Sequence, residues 1–249
     1  MTIHRSKPVE IARQLLERMV EARLAPGSSF ATEAELLEAF EVSRPTLRES
    51  LKILESQGAL ELRPGPGGGI IVSRPGVDML AHTLSVFLRL HEVPFLTVLK
   101  SREVIEPALA AEAAVNATEQ DLAELAASVA RMKQLQGTRD LEAFLAENRV
   151  FHGLIARASG NSVLETFWSA ISLLASGEHH GVRYSMGNQA HIIAAHERIL
   201  DACRARDAVA AAQAMQSHVG ELENLVRQRQ RRLLEHPTRV LARPGRTAA

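Results

Sequence analysis

The ten residues Val42-Ser43-Arg44-Pro45-Thr46-Leu47-Arg48-Glu49-Ser50-Leu51 decide how the N-terminal part of this chain is read. Ser43 brings a side-chain oxygen that can accept from an unpaired N–H of the following turn, and Pro45 falls where its missing N–H costs nothing. From there Leu47, Leu51 and Leu54 recur at i, i+4 and i+7, the period of a helix with one buried stripe. Arg44, Arg48 and Lys52 recur every four residues and so share an adjoining flank. On charge spacing alone, such a flank is an ordinary solvated helix face. The order of the surrounding elements changes that weighting.

Upstream, Val9, Ala12, Leu15, Leu16 and Met19 mark the apolar face of a first helix. After Pro26-Gly27, Thr32-Glu33-Ala34-Glu35 has the form of a capping box ahead of Leu36 and Leu37, and that second helix ends near Phe40. Downstream, Leu60-Glu61-Leu62 and Ile70-Ile71-Val72 flank the turn Arg63-Pro64-Gly65-Pro66-Gly67-Gly68-Gly69, which predicts a hairpin. Two short helices, a turn between them, a cationic flank on the second and then a hairpin make a winged helix-turn-helix layout. The second helix of such a pair can enter a major groove, where arginines bond guanine O6 and N7 or phosphates.

Ser73-Arg74-Pro75-Gly76 interrupts the pattern, and a domain boundary is placed there. Beyond it the chain is rich in Ala and Leu and helical in period, with helices expected over about 77–91, 95–115, 119–136, 139–158, 162–180, 188–205 and 208–232. Thr118, Asn161 and Asp207 signal three of the starts. The expected fold is therefore mainly α: a winged helix-turn-helix domain over 1–75, an all-α helical bundle over 76–234, and a disordered Pro/Arg/Ala-rich tail over 235–249.

With 249 residues, 46% of them hydrophobic, the chain is long enough for one or two proper cores. Lys+Arg and Asp+Glu are equal at 29 each, which argues against a generally basic nucleic-acid binder. That average hides three parts. Residues 1–75 hold ten basic and ten acidic side chains, residues 76–225 hold 12 and 18, and residues 226–249 hold seven Arg against one Glu. The single cysteine, Cys203, excludes an intrachain disulfide and a cysteine metal cluster. No signal-peptide layout and no apolar run of spanning length is found, so a soluble cytoplasmic protein without membrane contact is expected.

In the helical part the informative feature is polar residues lodged in apolar stripes. Leu141, Leu145, Asn148, His152 and Ile155 share one face; His196 lies among Ile192, Ile199 and Cys203, and His218 among Ala211, Met215, Leu222 and Leu225. Leaving such groups buried and unpaired would cost roughly 1–3 kcal/mol each. A lone histidine on an apolar face is ordinarily a hydrogen-bonded core residue; three imidazoles with an amide at i−4 point towards a divalent metal, if they converge. Arg102, among Val98, Ile105 and Leu109, needs an anion, which Glu106 one turn on or a ligand carboxylate could supply.

These stretches resemble a known family. Residues 8–72 are similar to the DNA-binding domain of the GntR family of bacterial transcription regulators through Ala25-Pro26-Gly27-Ser28, Thr32-Glu33-Ala34-Glu35-Leu36, Val42 to Leu51 and Leu54-Glu55-Ser56-Gln57-Gly58. The resemblance implies DNA contacts by Arg44, Thr46 and Arg48, and a wing tip of Gly67, Gly68 and Gly69 reaching a minor groove. Ala34 departs from the basic residue that family members often carry there. Residues 77–233 resemble the FCD effector domain of the FadR subfamily through Arg102-Glu103-Val104-Ile105-Glu106-Pro107, Asn148-Arg149-Val150-Phe151-His152, Ser159-Gly160-Asn161, His196-Glu197-Arg198-Ile199-Leu200 and His218. That resemblance implies a divalent metal, zinc first and nickel or manganese as alternatives, held by Asn148, His152, His196 and His218. Asn148 stands where an Asp is the commoner ligand. A small carboxylate or sugar acid is implied beside the metal, facing Arg102. His179, His180 and His191 are left as surface or rim residues.

The function implied is a ligand-responsive DNA-binding regulator, read as a repressor, that binds a palindromic operator as a homodimer and is not an enzyme. Two rivals stand beside it: a metal-free effector pocket with hydrogen-bonded histidines, and a helical metal-dependent hydrolase. Against the hydrolase, the sequence offers no buried Glu or Asp near the histidine stripes as a general base. Substituting Arg48→Ala should abolish specific DNA binding and leave helicity intact, measured by electrophoretic shift and circular dichroism; unchanged operator affinity would contradict the assignment.

Overall fold

A computed structural model describes residues 6–65, 68–138, 140–175 and 189–229, with side chains to 221. The chain divides into two compact units between Leu80 and Ala81.

The first unit opens with α1 (Lys7–Glu21), followed by α2 (Glu33–Phe40), α3 (Arg44–Ser56), β1 (Leu60–Arg63) and β2 (Gly69–Val72). The capping box expected at Thr32 is present: its hydroxyl accepts from the Glu35 N–H at 3.2 Å while Glu35 accepts from the Thr32 N–H at 2.8 Å. Ser43 caps α3 with its hydroxyl alone, which accepts from the Thr46 N–H at 3.4 Å, and Pro45 lies in the first turn. Leu47, Leu51 and Leu54 from α3 are buried against Ile11, Ala12, Leu15 and Met19 of α1 and Leu36 of α2. Val9 and Leu16, read with the apolar face of α1, are instead exposed, and Ile11 takes the place in the core. The buried face is rotated because α3 meets α1 along residues 11, 12, 15 and 19.

β1 and β2 pair antiparallel, with Leu60 opposite Val72 and Arg63 opposite Gly69. The segment before α2 adds a short third edge: Phe30 N–H donates to Ile70 O at 2.8 Å and Val72 N–H to Ser28 O at 2.9 Å. At the wing, a side chain on Gly68 would meet the Arg63 carbonyl oxygen at 2.1 Å, so the turn itself demands glycine there. Gly67 lies outside the described residues.

The second unit is formed by α4 (Val77–Leu90), whose first turn belongs to the first unit, and by α5 (Phe95–Asn116), α6 (Glu119–Leu135), α7 (Leu141–Ala158), α8 (Ser162–Leu174), α9 (Gln189–Arg204) and α10 (Ala208–Arg229). Thr118, Asn161 and Asp207 each bond a backbone N–H at the start of a helix, as expected. The start of α7 is set by Asp140, whose carboxylate accepts from Ala143 N–H. α8 is described to Leu174 and not to 180; the expected remainder, His179 and His180, and the tail 235–249 lie outside the described residues. α5 packs against α7, α8, α9 and α10. Its burial on several sides explains its long run of apolar and small residues, including Leu109, Ala110, Ala113 and Ala114. Cys203, on α9, is buried in this core, and burial pushes its thiol up to about 11. Among the described residues, no helix is long and apolar enough to cross a membrane.

Gly58 ends α3 in the left-handed region (φ +72°), and a Cβ there would also meet the Met79 side chain at 2.8 Å. Gly58→Ala should therefore lower the stability of this unit by about 1–3 kcal/mol, read as a shifted urea midpoint; an unshifted midpoint would show that the turn relaxes without cost.

Candidate metal centre and nucleic-acid interface

Three helices bring the predicted histidines together. His152 (α7), His196 (α9) and His218 (α10) are all buried, and each offers one ring nitrogen within 4.8 Å of the others. The Nε2 atoms lie 3.2 Å apart for His152 and His218, and 3.0 Å for His196 and His218. Phe151 stacks on His196 with ring centroids 3.9 Å apart, fixing the plane of that ring.

What lies behind each ring decides where its lone pair points. Glu106 Oε2 on α5 is 2.5 Å from His152 Nδ1, and a carboxylate on that side favours the Nδ1–H tautomer, which leaves the lone pair on Nε2. The other oxygen of Glu106 accepts from Arg102 Nε at 2.5 Å. Met132 Sδ on α6 is 3.2 Å from His196 Nδ1. A thioether only accepts, which places the proton on Nδ1 and the lone pair on Nε2. His218 Nε2 thus faces two acceptor nitrogens and can carry at most one proton. A cation satisfies all three nitrogens at once. Ligands about 2.0–2.1 Å from a zinc ion stand about 3.3 Å apart in a tetrahedron, close to the two spacings from His218, and all three nitrogens lie within 4.8 Å of one another.

Burial, and then the charge of its neighbouring histidines, drives the His196 ring well below the usual imidazole range; burial drives His218 down to about 3. Both rings are neutral donors at physiological pH. Burial alone would raise the Glu106 carboxyl, but the Arg102 guanidinium and the His152 ring outweigh it and hold it below the usual carboxylate range.

Glu106 corrects one expectation. A buried acid does stand beside the histidines, although none was expected. Spacing offers Glu106 as one of two possible anions for Arg102, and only the packing of α5 on α7 brings its second oxygen to His152. It is a poor candidate for a general base, since Arg102 holds one oxygen and the other faces the Nδ1 side of the ring, away from the three Nε2 atoms. Glu106, Met132 and Phe151 were missed as supporting residues. An acid one turn from a buried Arg, on a helix buried on several sides, was the available signal for the first. Asn148 lies half-buried one turn before His152 on α7. His191 is exposed and pairs with Glu221.

In the first unit, the flank of α3 presents Arg44 and Arg48, with side chains 69% and 67% exposed. Arg48 Nε donates to Glu33 Oε1 on α2 at 2.7 Å, and Arg44 lies 4.0 Å from the same carboxylate. Thr46, half-buried, shares a 2.9 Å hydrogen bond with Ser43. Gly68 and Gly69 lie at the end of the hairpin. A cationic helix flank beside a hairpin is the surface of a winged helix.

Residues 8–70 match the bacterial regulatory proteins of the gntR family, and residues 97–221 match the FCD domain. The chain belongs to the GntR family of regulators. Over 219 residues it is 29% identical to the galactonate operon transcriptional repressor of Escherichia coli (strain K12), covering 86% of this chain and 93% of that one. It is also 29% identical to the transcriptional repressor NanR of Citrobacter rodentium, covering 88% of this chain and 85% of the relative. Among solved structures, Streptococcus agalactiae GntR superposes with a TM-score of 0.71 at 25% identity, covering 87% of this chain and 99% of that one. This GntR member is a transcriptional regulator with a DNA-binding domain and an FCD domain, and not an enzyme.

The depressed histidines set a pH dependence. Between about pH 6.5 and the lowered native values, the unfolded chain binds protons that the native chain does not, so stability falls as pH falls. Metal-free protein should lose up to about 1.4 kcal/mol per pH unit for each such ring below about pH 6.5, measured as urea midpoints. The slope should be shallower in His218→Leu; identical slopes would refute this origin.

Proposed function

We propose that this GntR member is a ligand-responsive repressor whose FCD domain holds a divalent metal and a small organic acid. The observation that carries the reading is the convergence of three buried imidazoles, with a supporting group behind two of them. His152, His196 and His218 would hold the ion, with Asn148 one turn away as the fourth ligand. Zinc suits such a set best, and nickel or manganese would also be accepted. The ion supplies positive charge to an anionic effector; Arg102 adds a second cation, already oriented by Glu106. Sugar acids are the first effector class to try, because the similar E. coli protein is named for a galactonate operon. Asn148 is neutral, which leaves the centre more positive than an aspartate would.

The DNA-reading residues are Arg44, Thr46 and Arg48 on α3, with Gly67, Gly68 and Gly69 at the wing. A homodimer would place one winged helix on each half of a palindromic operator, in the cytoplasm. Effector binding alters repression only through a difference in affinity between DNA-competent and incompetent arrangements.

The metal-free alternative has one observation behind it: 3.0–3.2 Å is also hydrogen-bond length, and a proton on His218 Nε2 could bond one neighbour. Metal analysis of gently purified protein separates the two readings. About one ion per chain is expected, lost in the double variant His152→Ala/His196→Ala. A sugar acid at a hundred times its Kd should then stabilise the metal-loaded chain by about 2.7 kcal/mol, and much less in Arg102→Ala. No stoichiometric metal, with effector stabilisation retained, would favour the metal-free pocket.

A further inference from the structure

The contact that the DNA-binding reading does not use is the one between α2 and the recognition flank. Glu33, the first residue of α2, places its carboxylate against Arg48, with Nε to Oε1 at 2.7 Å and Nη2 to Oε2 at 3.5 Å. Arg44 approaches the same carboxylate at 4.0 Å. The arginines are largely exposed, so the arrangement adds little to stability. Its geometry offers another use. A guanidinium has two bidentate edges, and the carboxylate occupies the edge formed by Nε and Nη2. The other edge, formed by Nη1 and Nη2, is turned away from Glu33, and that is an edge which matches guanine O6 and N7.

We propose that Glu33 is a positioning residue of the DNA-reading surface, which braces Arg48 for bidentate recognition of a guanine and penalises sequence-independent attachment to phosphate. The inference rests on the reading of α3 as the recognition helix. Bracing works through entropy: a long side chain already held in one orientation loses less freedom when it meets a base. The penalty works through charge. A carboxylate between two arginines offsets part of the positive field that attracts any duplex, in a unit whose basic and acidic residues already balance at ten each over 1–75. The two effects act together: affinity for phosphate falls and discrimination between bases rises. The Arg48 hydrogen bond, foremost, also holds the Glu33 carboxyl below its usual range, so the brace stays charged at neutral pH.

The test uses the full chain and two probes of equal length, a duplex selected by the parent chain from a randomised pool and an unrelated duplex. E33Q keeps the shape of the side chain and removes its charge. E33D keeps the charge and withdraws the carboxylate by one methylene. E33Q should bind the unrelated duplex several-fold more tightly, with a steeper salt dependence, and its ratio of selected to unrelated affinity should fall about tenfold. E33D should lose a similar part of the ratio with little change on the unrelated duplex. A merely structural role for Glu33 would change melting temperature and leave that ratio alone. If both variants keep the parent ratio while Arg48→Ala loses it, the brace is overturned and the recognition helix stands. If Arg48→Ala also keeps it, the reading of α3 falls and the brace with it.

Discussion

Three buried imidazoles from α7, α9 and α10, with His218 Nε2 within 3.2 Å of both other Nε2 atoms, are the constraint around which the second unit is arranged. Where His152 and His196 carry a proton on Nδ1 and a lone pair on Nε2, His218 Nε2 has at most one proton to offer two acceptors. The cost is set by the residues behind them. Glu106 fixes one ring from α5 and Met132 faces another from α6, so helices that supply no histidine still determine which nitrogen faces inward. Arg102 in turn fixes Glu106. The centre is therefore a property of five packed helices, and a change in the packing of α5 would reach His152 through a single carboxylate.

The first unit solves the opposite problem. Arg44 and Arg48 stand largely in water, where a charge pair with Glu33 contributes little to folding. Stability comes from the leucines of α3, α1 and α2 and from the caps at Thr32 and Ser43. α3 therefore carries two separable faces: one buries Leu47, Leu51 and Leu54, and the other presents arginines without any packing duty. Substitution on the exposed face can therefore change the charge of this surface without loosening the core.

Local features were the legible ones. Caps, prolines, glycines and helical periods act within a few residues, and they located the helices of both units and the hairpin. The three histidines were also legible, because a polar group in an apolar stripe is visible along one helix. What could not be read was how one helix addresses another. Glu106 was seen only as the partner of Arg102, since i, i+4 spacing reports contacts along a helix and says nothing of a second oxygen facing α7. Ile11 in place of Val9 has the same origin: α1 has apolar residues on more than one side, and α3 selects which of them is covered. The pairing of Glu33 with Arg48 spans fifteen residues and a turn, beyond the reach of any periodicity.

Cys203 carries a consequence for reactivity. It is the only cysteine of the chain, it is buried, and its thiol is pushed up to about 11. At neutral pH such a thiol stays protonated, and the thiolate is the form that reacts with oxidants and attacks disulfides. Burial in the α9 core therefore keeps this thiol in its unreactive, protonated form, and Cys203 serves the chain as a small apolar side chain in the packing of the second unit.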